Sequence, residues 1–267
     1  MQPPPMRYAA TDPDRYEHFM GRWSERLAGG FLAFVGVAPG THVLDVGCGT
    51  GVLTKALADA GAVATGIDAS EPYLGGARQY RSHPNIAYER GDIRRMHFAD
   101  SAFDAAVSTL VLDVLPEVEQ VVAEMRRVVR PGGTVASGIH DYWGFSTLNA
   151  VMDTGAVLDQ RVAVLRDAMR AHPLVGANGQ AALWRRTGLL DVTEVPIVVD
   201  CDYPSFADYW ATWATGQGRL SVLLLQLPED VRREIERHVR AWYLAGMPDG
   251  SRTCPMVIRC VRGIVPG

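Results

Sequence analysis

The sequence predicts an α/β fold with a mainly parallel sheet, and three observations support this prediction. Residues 43–46, VLDV, form a short β-branched run, as expected for a strand that is buried on both faces. Between residues 52 and 60 the apolar side chains recur at helical spacing. A second apolar strand follows at 63–67. Strands that alternate with helices in this way are typical of α/β proteins.

Three glycines at alternate positions, Gly47, Gly49 and Gly51, occupy the turn between the first strand and the first helix. Side chains there would block a ligand from approaching the backbone, so the turn is a candidate cofactor site. Its spacing is G-x-G-x-G, whereas the dinucleotide fingerprint is G-x-G-x-x-G. Asp45 precedes the first glycine, where its charge would repel a pyrophosphate but attract an amino group. The turn therefore favours a nucleoside-bearing cofactor with an aminoacyl part.

The segment VLDVGCGTG at 43–51 resembles the first motif of class I S-adenosylmethionine-dependent methyltransferases. Further segments match that family in the expected order, namely GIDAS at 66–70, GDI at 91–93, FDAAVSTLVLDVL at 103–115 and RPGGTV at 130–135. YEHFMGRWSERLA at 16–28 resembles the helix that precedes the domain in a bacterial small-molecule group, which is methyltransferase type 11-like. The resemblance implies a three-layer, Rossmann-like α/β sandwich with a seven-stranded sheet, in which the strand at 256–261 is antiparallel.

The resemblance also implies S-adenosyl-L-methionine as the cofactor and S-adenosyl-L-homocysteine as the product. At the position of Asp68 the family accepts both ribose hydroxyls, and at the position of Asp92 it meets the adenine amine. The alternative is that these two aspartates are solvated carboxylates at strand ends. The implied cofactor-binding residues are Asp45, Gly47, Cys48, Gly49, Gly51, Asp68, Ala69, Asp92, Ile93, Thr109 and Leu110, together with Met20 and Arg22 of the N-terminal helix.

We expect a single methyltransferase domain over residues 1–267. Its cofactor-binding core is at 40–140, after an N-terminal helical segment at 1–39, and helical cap insertions lie at 141–188 and 203–250. Substrate identity resides outside the common core, so the acceptor site should come from these added segments. In the second cap, aromatic residues at helical spacing either line a pocket or pack in the core. Gly216 and Gly218 interrupt that cap, as a hinge or as ordinary turn residues.

The tetrad His140-Asp141-Tyr142-Trp143 follows the expected fifth strand, 134–139, at the strand end where ligands of open α/β sheets bind. A histidine can remove a proton from a phenol, an acid or an amine, and Asp141 would orient it. The alternative is that His140 serves only as a hydrogen-bonding residue. The candidate catalytic residues are His140, Asp141 and Tyr16, and the candidate substrate-binding residues are Tyr142, Trp143, Tyr209, Trp210 and Trp213.

Asp113 stands in an otherwise apolar stretch, where it either caps the helix expected near Pro116 or lies near the substrate.

The composition disfavours several classes of protein. A formal net charge of −4 and a pI near 6.0 give no general attraction to nucleic acids. The four cysteines lack C-x-x-C spacing, which argues against a metal site and against a disulfide framework. No apolar run is long enough to span a bilayer, and the N-terminus lacks a signal core. We therefore expect a cytoplasmic protein without a membrane, nucleic-acid or metal partner.

The expected function is transfer of a methyl group from S-adenosylmethionine to an oxygen or nitrogen atom, less readily carbon, of a small apolar or aromatic molecule. In-line positioning of the acceptor should dominate, with general-base help as an option. The alternative is a regulatory protein that binds S-adenosylmethionine or S-adenosylhomocysteine without catalysis. The glycine spacing and Asp45 disfavour a nicotinamide-dependent oxidoreductase. The acceptor and the oligomeric state stay open.

Overall fold

The computed structural model, which describes residues 12–267, is built around a seven-stranded sheet. Its strands are β1 (His42–Val46), β2 (Val63–Asp68), β3 (Ile86–Arg90), β4 (Phe103–Thr109), β5 (Val129–Phe145), β6 (Leu190–Tyr203) and β7 (Arg252–Ile264). They lie in the order β3-β2-β1-β4-β5-β7-β6. Neighbours among β1 to β5 run parallel, and β7 is antiparallel to both β5 and β6. The predicted mainly parallel sheet with an antiparallel strand near residues 256–261 is confirmed.

Helices pack on both faces of this sheet and complete three layers. They are α1 (Pro13–Tyr16), α2 (Arg22–Val35), α3 (Val52–Asp59), α4 (Glu71–Tyr80), α5 (Val118–Val128), α6 (Ser146–Leu158), α7 (Gln160–Arg170), α8 (Gly179–Arg186), α9 (Phe206–Trp213), α10 (Gly218–Gln226) and α11 (Glu229–Leu244). Successive side chains of β1 point to opposite faces of the sheet. Val43 packs in the hydrophobic cluster that includes α2 and α3, and Leu44 packs in the cluster that includes α5. Burial on both faces explains why β1 is a continuous apolar run.

The N-terminal segment is helical from Pro13 to Val35, with one π-helical turn, Glu17–Gly21, between α1 and α2. The side chain of Asp12 caps its start by accepting a hydrogen bond from Arg15 N at 3.1 Å. The segment ends at Gly36, whose φ of 76° is in the left-handed region that terminates helices. The expected helical structure is therefore present over 13–35, and the part of that expectation before residue 12 lies outside the described residues.

Strand β5 extends further than the sequence analysis predicts. We expected a strand at 134–139 followed by a helical insertion from 141, but β5 continues through 141–145 and α6 begins at Ser146. The extension pairs with β7, where His140 lies opposite Ile258 and, after a register irregularity, Phe145 lies opposite Met256. Because of this pairing, β5 projects beyond the ends of the other parallel strands.

The expected second cap contains α9, α10 and α11. The break between α9 and α10 falls at Gly216 and Gly218, whose φ values are 75° and 76°. Ordinary side chains rarely adopt that conformation, so the two glycines allow the chain to reverse there. None of the helices within residues 12–267 has the length and apolar character needed to cross a membrane.

Candidate functional site

A cavity of about 920 Å³ opens at the carboxyl ends of the parallel strands. Its wall contains the glycine turn after β1, the ends of β2 and β4, the loop after β3 and the extended end of β5. The N-terminal helical segment and the first turn of α10 cover it. Its volume is at the upper end of the range for ligand pockets, about 300–1,000 Å³, so a cofactor and a small acceptor have room together.

The glycine turn presents bare backbone to this cavity. Gly47 and Gly49 line it, with φ values of 75° and 55°. A Cβ atom at Gly47 would lie 2.7 Å from a methyl group of Val111, which leaves no space for a side chain. Gly51 does not line the cavity, because it packs under Tyr88, whose hydroxyl would collide with a Cβ atom there. Of the three glycines, the structure therefore brings two to the site.

Asp68 lies at the end of β2 with its carboxylate in the cavity wall. Its Oδ2 accepts a hydrogen bond from Gly49 N at 3.0 Å, and its Oδ1 accepts one from Ser70 N at 2.8 Å. Burial raises the pKa of this carboxyl, and the backbone donors partly offset that effect. Each oxygen retains a lone pair, so Asp68 can still accept two hydroxyl groups. This is the arrangement that the predicted ribose contact requires.

Asp45 lies under the glycine turn, where Thr54 Oγ1 donates a hydrogen bond of 2.6 Å to its Oδ2. Burial raises the pKa of Asp45 to about 7, against the opposing effect of the Thr54 hydrogen bond. A cation in the cavity would favour the ionised carboxylate. Asp45 therefore suits the cationic amino group that the sequence analysis predicted.

Asp92 and Ile93 follow β3 and also line the cavity. The carboxylate of Asp92 is paired with Arg94, whose Nε lies 3.0 Å from Oδ1 and whose Nη2 lies 2.9 Å from Oδ2. These hydrogen bonds lower the pKa of Asp92. An adenine amine would have to share the carboxylate with Arg94, so the adenine contact stays a prediction. Four other expected cofactor residues also lie in the cavity wall, namely Cys48, Ala69, Thr109 and Leu110.

The N-terminal helical segment contributes Tyr16 and Met20 to the cavity, but not Arg22. The guanidinium of Arg22 turns to α9, where Nη1 lies 2.9 Å from Asp208 Oδ2 and Nη2 donates to Thr212 Oγ1 at 2.8 Å. Arg22 therefore joins the N-terminal segment to the cap, and the structure does not bring it to the proposed cofactor.

Asp113, His140 and Tyr142 form a hydrogen-bonded group in the cavity wall. Asp113 Oδ2 accepts a hydrogen bond from Tyr142 Oη at 2.7 Å and lies 2.9 Å from His140 Nδ1. Strands β4 and β5 are adjacent, which brings together residues that are far apart in sequence. Asp113 lies in a 3₁₀ turn, Leu112–Val114, and its carboxylate faces this group, so the substrate-side alternative for Asp113 is the one that the contacts favour.

Burial and the contacts within this group act together on its pKa values. Burial alone would raise the pKa of the Asp113 carboxyl, but the charge of His140 and the hydrogen bonds from His140 and Tyr142 hold it below its usual range. Burial and the charge of Asp113 raise the pKa of Tyr142 well above its usual value. Asp113 is therefore ionised and can only accept, so His140 Nδ1 carries a proton in either form of the ring. When the ring is neutral, His140 Nε2, which is buried and without a hydrogen-bond partner among the described residues, presents a lone pair.

Asp141 does not orient His140. Its Oδ2 accepts from Arg259 Nε at 2.9 Å and its Oδ1 accepts from Trp143 N at 3.0 Å. Neighbouring residues of a strand point to opposite faces, so Asp141 is directed away from His140. Trp143 is also outside the cavity, since it is 65% exposed and contacts Arg170. The orienting carboxylate is Asp113, which the sequence analysis did not assign to this role.

Of the three cap aromatics expected to bind substrate, Trp213 lines the cavity. Its ring centroid lies 6.0 Å from that of Phe145. Tyr209 is fully buried and donates its hydroxyl hydrogen to Thr147 O at 2.8 Å, and Trp210 does not reach the cavity. The face of α9 that contains Tyr209 therefore packs in the core, and only the last turn of this helix contributes to the site.

Several polar residues of the cavity wall could not be predicted from the sequence because no motif marks them, among them Tyr73, His172, Gln217 and Arg219. Tyr73 Oη donates to Gln217 Oε1 at 3.2 Å and so joins α4 to the cap. Burial lowers the pKa of the His172 ring. Within residues 12–267, no three His, Cys, Asp or Glu side chains form a group that could hold a metal ion.

Comparisons with known proteins agree with this geometry. Residues 44–137 match a family model described as a methyltransferase domain. A ubiquinone biosynthesis O-methyltransferase of Methylococcus capsulatus is 41% identical over 113 residues, which are 41% of this chain and 44% of that protein. A malonyl-[acyl-carrier protein] O-methyltransferase of Pectobacterium atrosepticum is 34% identical over 128 residues, 48% of each protein. The YcgJ protein of Bacillus subtilis has a similar fold, with a TM-score of 0.59 and 16% identity over 90% of this chain and 98% of that one.

The sheet order, the glycine turn and the carboxylate at the end of β2 define a Rossmann-like domain that binds a nucleoside cofactor. The match over residues 44–137 makes the assignment more specific, because this part of the chain is similar to a methyltransferase domain. This match agrees with the predicted family and cofactor, and the activity of the whole protein is a proposal. The chain spans about half the length of the curated relatives that it matches.

The described residues fit S-adenosylmethionine. Asp68 offers acceptors for the ribose, and Asp45 lies where a cationic amino group would stabilise its charge. The hydroxyl of Thr50, in the glycine turn, is buried, lines the cavity and has no hydrogen-bond partner among the described residues. A polar ligand against the turn would satisfy this orphaned hydroxyl.

Proposed function

We propose that this protein transfers a methyl group from S-adenosylmethionine to an oxygen or nitrogen atom of a small apolar or aromatic molecule, with a hydroxyl oxygen as the best acceptor. The observation that carries this proposal is the position of His140, a residue of the cavity wall whose Nδ1 is held by Asp113 and whose buried Nε2 has no hydrogen-bond partner among the described residues. A base is most useful for an acceptor that must lose a proton, such as a phenol. The two curated relatives described above are named O-methyltransferases, which supports oxygen as the acceptor.

S-Adenosylmethionine, when bound, supplies a methyl group that is already electrophilic. The protein therefore contributes mainly by holding the acceptor in line, an effect worth about 7–11 kcal/mol for well-oriented groups. His140 Nε2 takes the proton of the acceptor hydroxyl as the oxygen becomes nucleophilic. The ionised Asp113 stabilises the resulting imidazolium through the 2.9 Å contact to Nδ1 and holds the ring in place. Asp113 is thus a positioning residue.

Aromatic rings around His140 favour a flat, apolar acceptor. The ring of His140 stacks on Phe145 with a centroid distance of 5.5 Å and an interplanar angle of 4°. It is also parallel to Tyr142 within 14°. Trp213 and Tyr16 line the same cavity, and Tyr16 remains a candidate for contact with the acceptor. We further propose, as the sequence predicts, that the protein acts in the cytoplasm.

The test is methylation of a panel of small phenols, carboxylic acids and amines with S-adenosylmethionine that carries a labelled methyl group. We expect transfer to phenolic oxygen, and little transfer by the His140→Gln variant. Tight binding of S-adenosylhomocysteine with no transfer to any acceptor would instead favour the regulatory alternative. Transfer to amines alone would refute oxygen as the preferred acceptor atom.

A further inference from the structure

Arg219 is a cavity-lining cation whose charge no carboxylate of residues 12–267 pairs with. It lies in the first turn of α10 and lines the same cavity as His140. Its side chain contacts two uncharged groups of the described residues, the backbone oxygen of Asp113, 3.4 Å from Nη2, and the hydroxyl of Tyr142. By contrast Arg94, another arginine of this wall, is paired with both Asp92 and Glu117.

The carboxylate of Asp113 does not serve as the partner of Arg219. Its Oδ2 is engaged by His140 and Tyr142, and Arg219 reaches the main-chain carbonyl of Asp113 instead. An unpaired, half-buried guanidinium beside a proposed base is costly unless a ligand or water solvates it. The charge of Arg219 is therefore available to a molecule in the cavity.

The charged groups divide the cavity into two regions. The carboxylates of Asp45, Asp68 and Asp92 lie on the side of β1, β2 and β3, where the cofactor residues are. Arg219 lies on the cap, with His140 at the end of β5. The first turn of α10 also lacks a side-chain cap, so its backbone N–H groups add positive potential near Arg219. The acceptor side also contains the ionised Asp113, whose Oδ2 is engaged by His140 and Tyr142, so Arg219 is the group on this side that can pair with an anionic ligand.

We infer that the methyl acceptor is an organic acid, an aromatic hydroxy acid whose carboxylate binds Arg219 while its hydroxyl lies against His140 Nε2. This inference rests on the proposed function, since it assigns the acceptor class of that same site. A guanidinium presents a planar pair of donors that matches a carboxylate. A neutral amide of the same shape cannot form this charged pair. The acid should therefore bind about 10- to 100-fold more tightly than its amide.

The test uses matched acids and amides of different reach. Protein saturated with S-adenosylhomocysteine is titrated by calorimetry with para-hydroxybenzoate, para-hydroxyphenylacetate and para-hydroxycinnamate, and with the carboxamide of each. We expect at least one acid to bind at least about tenfold more tightly than its amide. In Arg219→Gln this preference should be lost, and Arg219→Lys should retain part of it. The control Arg185→Gln removes an exposed arginine of α8 and should keep the full preference.

The outcomes separate this inference from the proposed function. Equal binding of acid and amide, binding of no acid, or a preference that survives in Arg219→Gln would overturn the acceptor class while S-adenosylhomocysteine still binds. Failure of the wild-type protein to bind S-adenosylhomocysteine would refute the proposed function itself, and this inference with it. Normal S-adenosylhomocysteine binding by Arg219→Gln shows that the variant is folded. Where an acid is methylated, the variant should raise KM more than it lowers kcat.

Discussion

Replacing His140 by glutamine removes the proposed base but keeps a side chain that can hydrogen-bond Asp113. A general base contributes about 10²- to 10⁴-fold, so the barrier should rise by roughly 3–5 kcal/mol. Two other titratable groups of the cavity wall, Tyr142 and His172, are poor replacements. The Tyr142 phenol is held protonated by its raised pKa. The ring of His172 accepts a hydrogen bond from Leu174 N and has a second backbone partner.

The assay is the pH dependence of kcat/KM for a phenolic acceptor. In His140→Gln the acceptor must ionise before it reacts, so the rate should rise about tenfold per pH unit up to the pKa of the phenol. The wild-type protein should show a weaker dependence over the same range. His172→Gln is the matched control and should stay within about threefold of wild type. S-Adenosylhomocysteine should bind both variants normally, since neither histidine contacts the glycine turn.

A loss of activity below about tenfold in His140→Gln, or a pH profile that parallels wild type, would refute His140 as the base.

Two further predictions concern the cofactor side of the cavity, and a third concerns the stability of the N-terminal helical segment. Asp68→Ala should weaken S-adenosylhomocysteine binding by about 100-fold in calorimetry, because two hydrogen bonds to a charged acceptor are lost, and unchanged affinity would place the ribose elsewhere. Because the pKa of Asp45 is raised to about 7, the ligand-free carboxyl is mostly protonated at pH 6. Binding of the cationic cofactor should therefore release up to one proton at pH 6 and little at pH 9. Calorimetry in buffers of different ionisation enthalpy measures this release, which should be absent in Asp45→Asn. Arg81, directly after α4, pairs with Glu17 at 2.7 Å and its side chain is largely shielded from solvent, so Arg81→Met should lower the free energy of unfolding by about 2 kcal/mol. Arg78→Met breaks an exposed pair within α4 and should lower it by less than about 0.5 kcal/mol, and equal losses would contradict the importance of the Arg81–Glu17 contact.

The cofactor half of the site could be predicted from the sequence because its residues are local. The glycine turn and Asp68 lie directly after strands, and the strand ends of a parallel sheet meet at one edge. The motifs therefore predict that Asp45, Gly47 and Asp68 lie together, and all three line the cavity. Gly51 is an exception, because it belongs to the motif but packs against Tyr88 and does not line the cavity.

The acceptor half could not be predicted in the same way, because its contacts join distant segments. His140 was identified from its strand end, but its partner was expected next to it in sequence and lies instead on the loop after β4. The error on Asp141 has a simple physical cause. Residues 140 and 141 both belong to β5, which was expected to end before them, and adjacent strand residues face opposite ways. Arg219 reaches the cavity because of the way α10 packs, and no sequence motif predicts that packing.

The length of β5 places the proposed base on the sheet, whereas the residues proposed to select the acceptor lie on the cap helices. Pairing of β5 with the antiparallel β7 continues past the ends of the parallel strands, and the cross-strand neighbours Ile258 and Met256 support His140 and Phe145. His140 therefore belongs to the sheet, and the backbone hydrogen bonds between β5 and β7 fix its position. The groups proposed to select the acceptor, Arg219 above all, stand on cap helices instead. Substitutions in the cap should accordingly change which acceptor binds, measured as KM, while substitutions in β5 or β7 should change kcat for every acceptor.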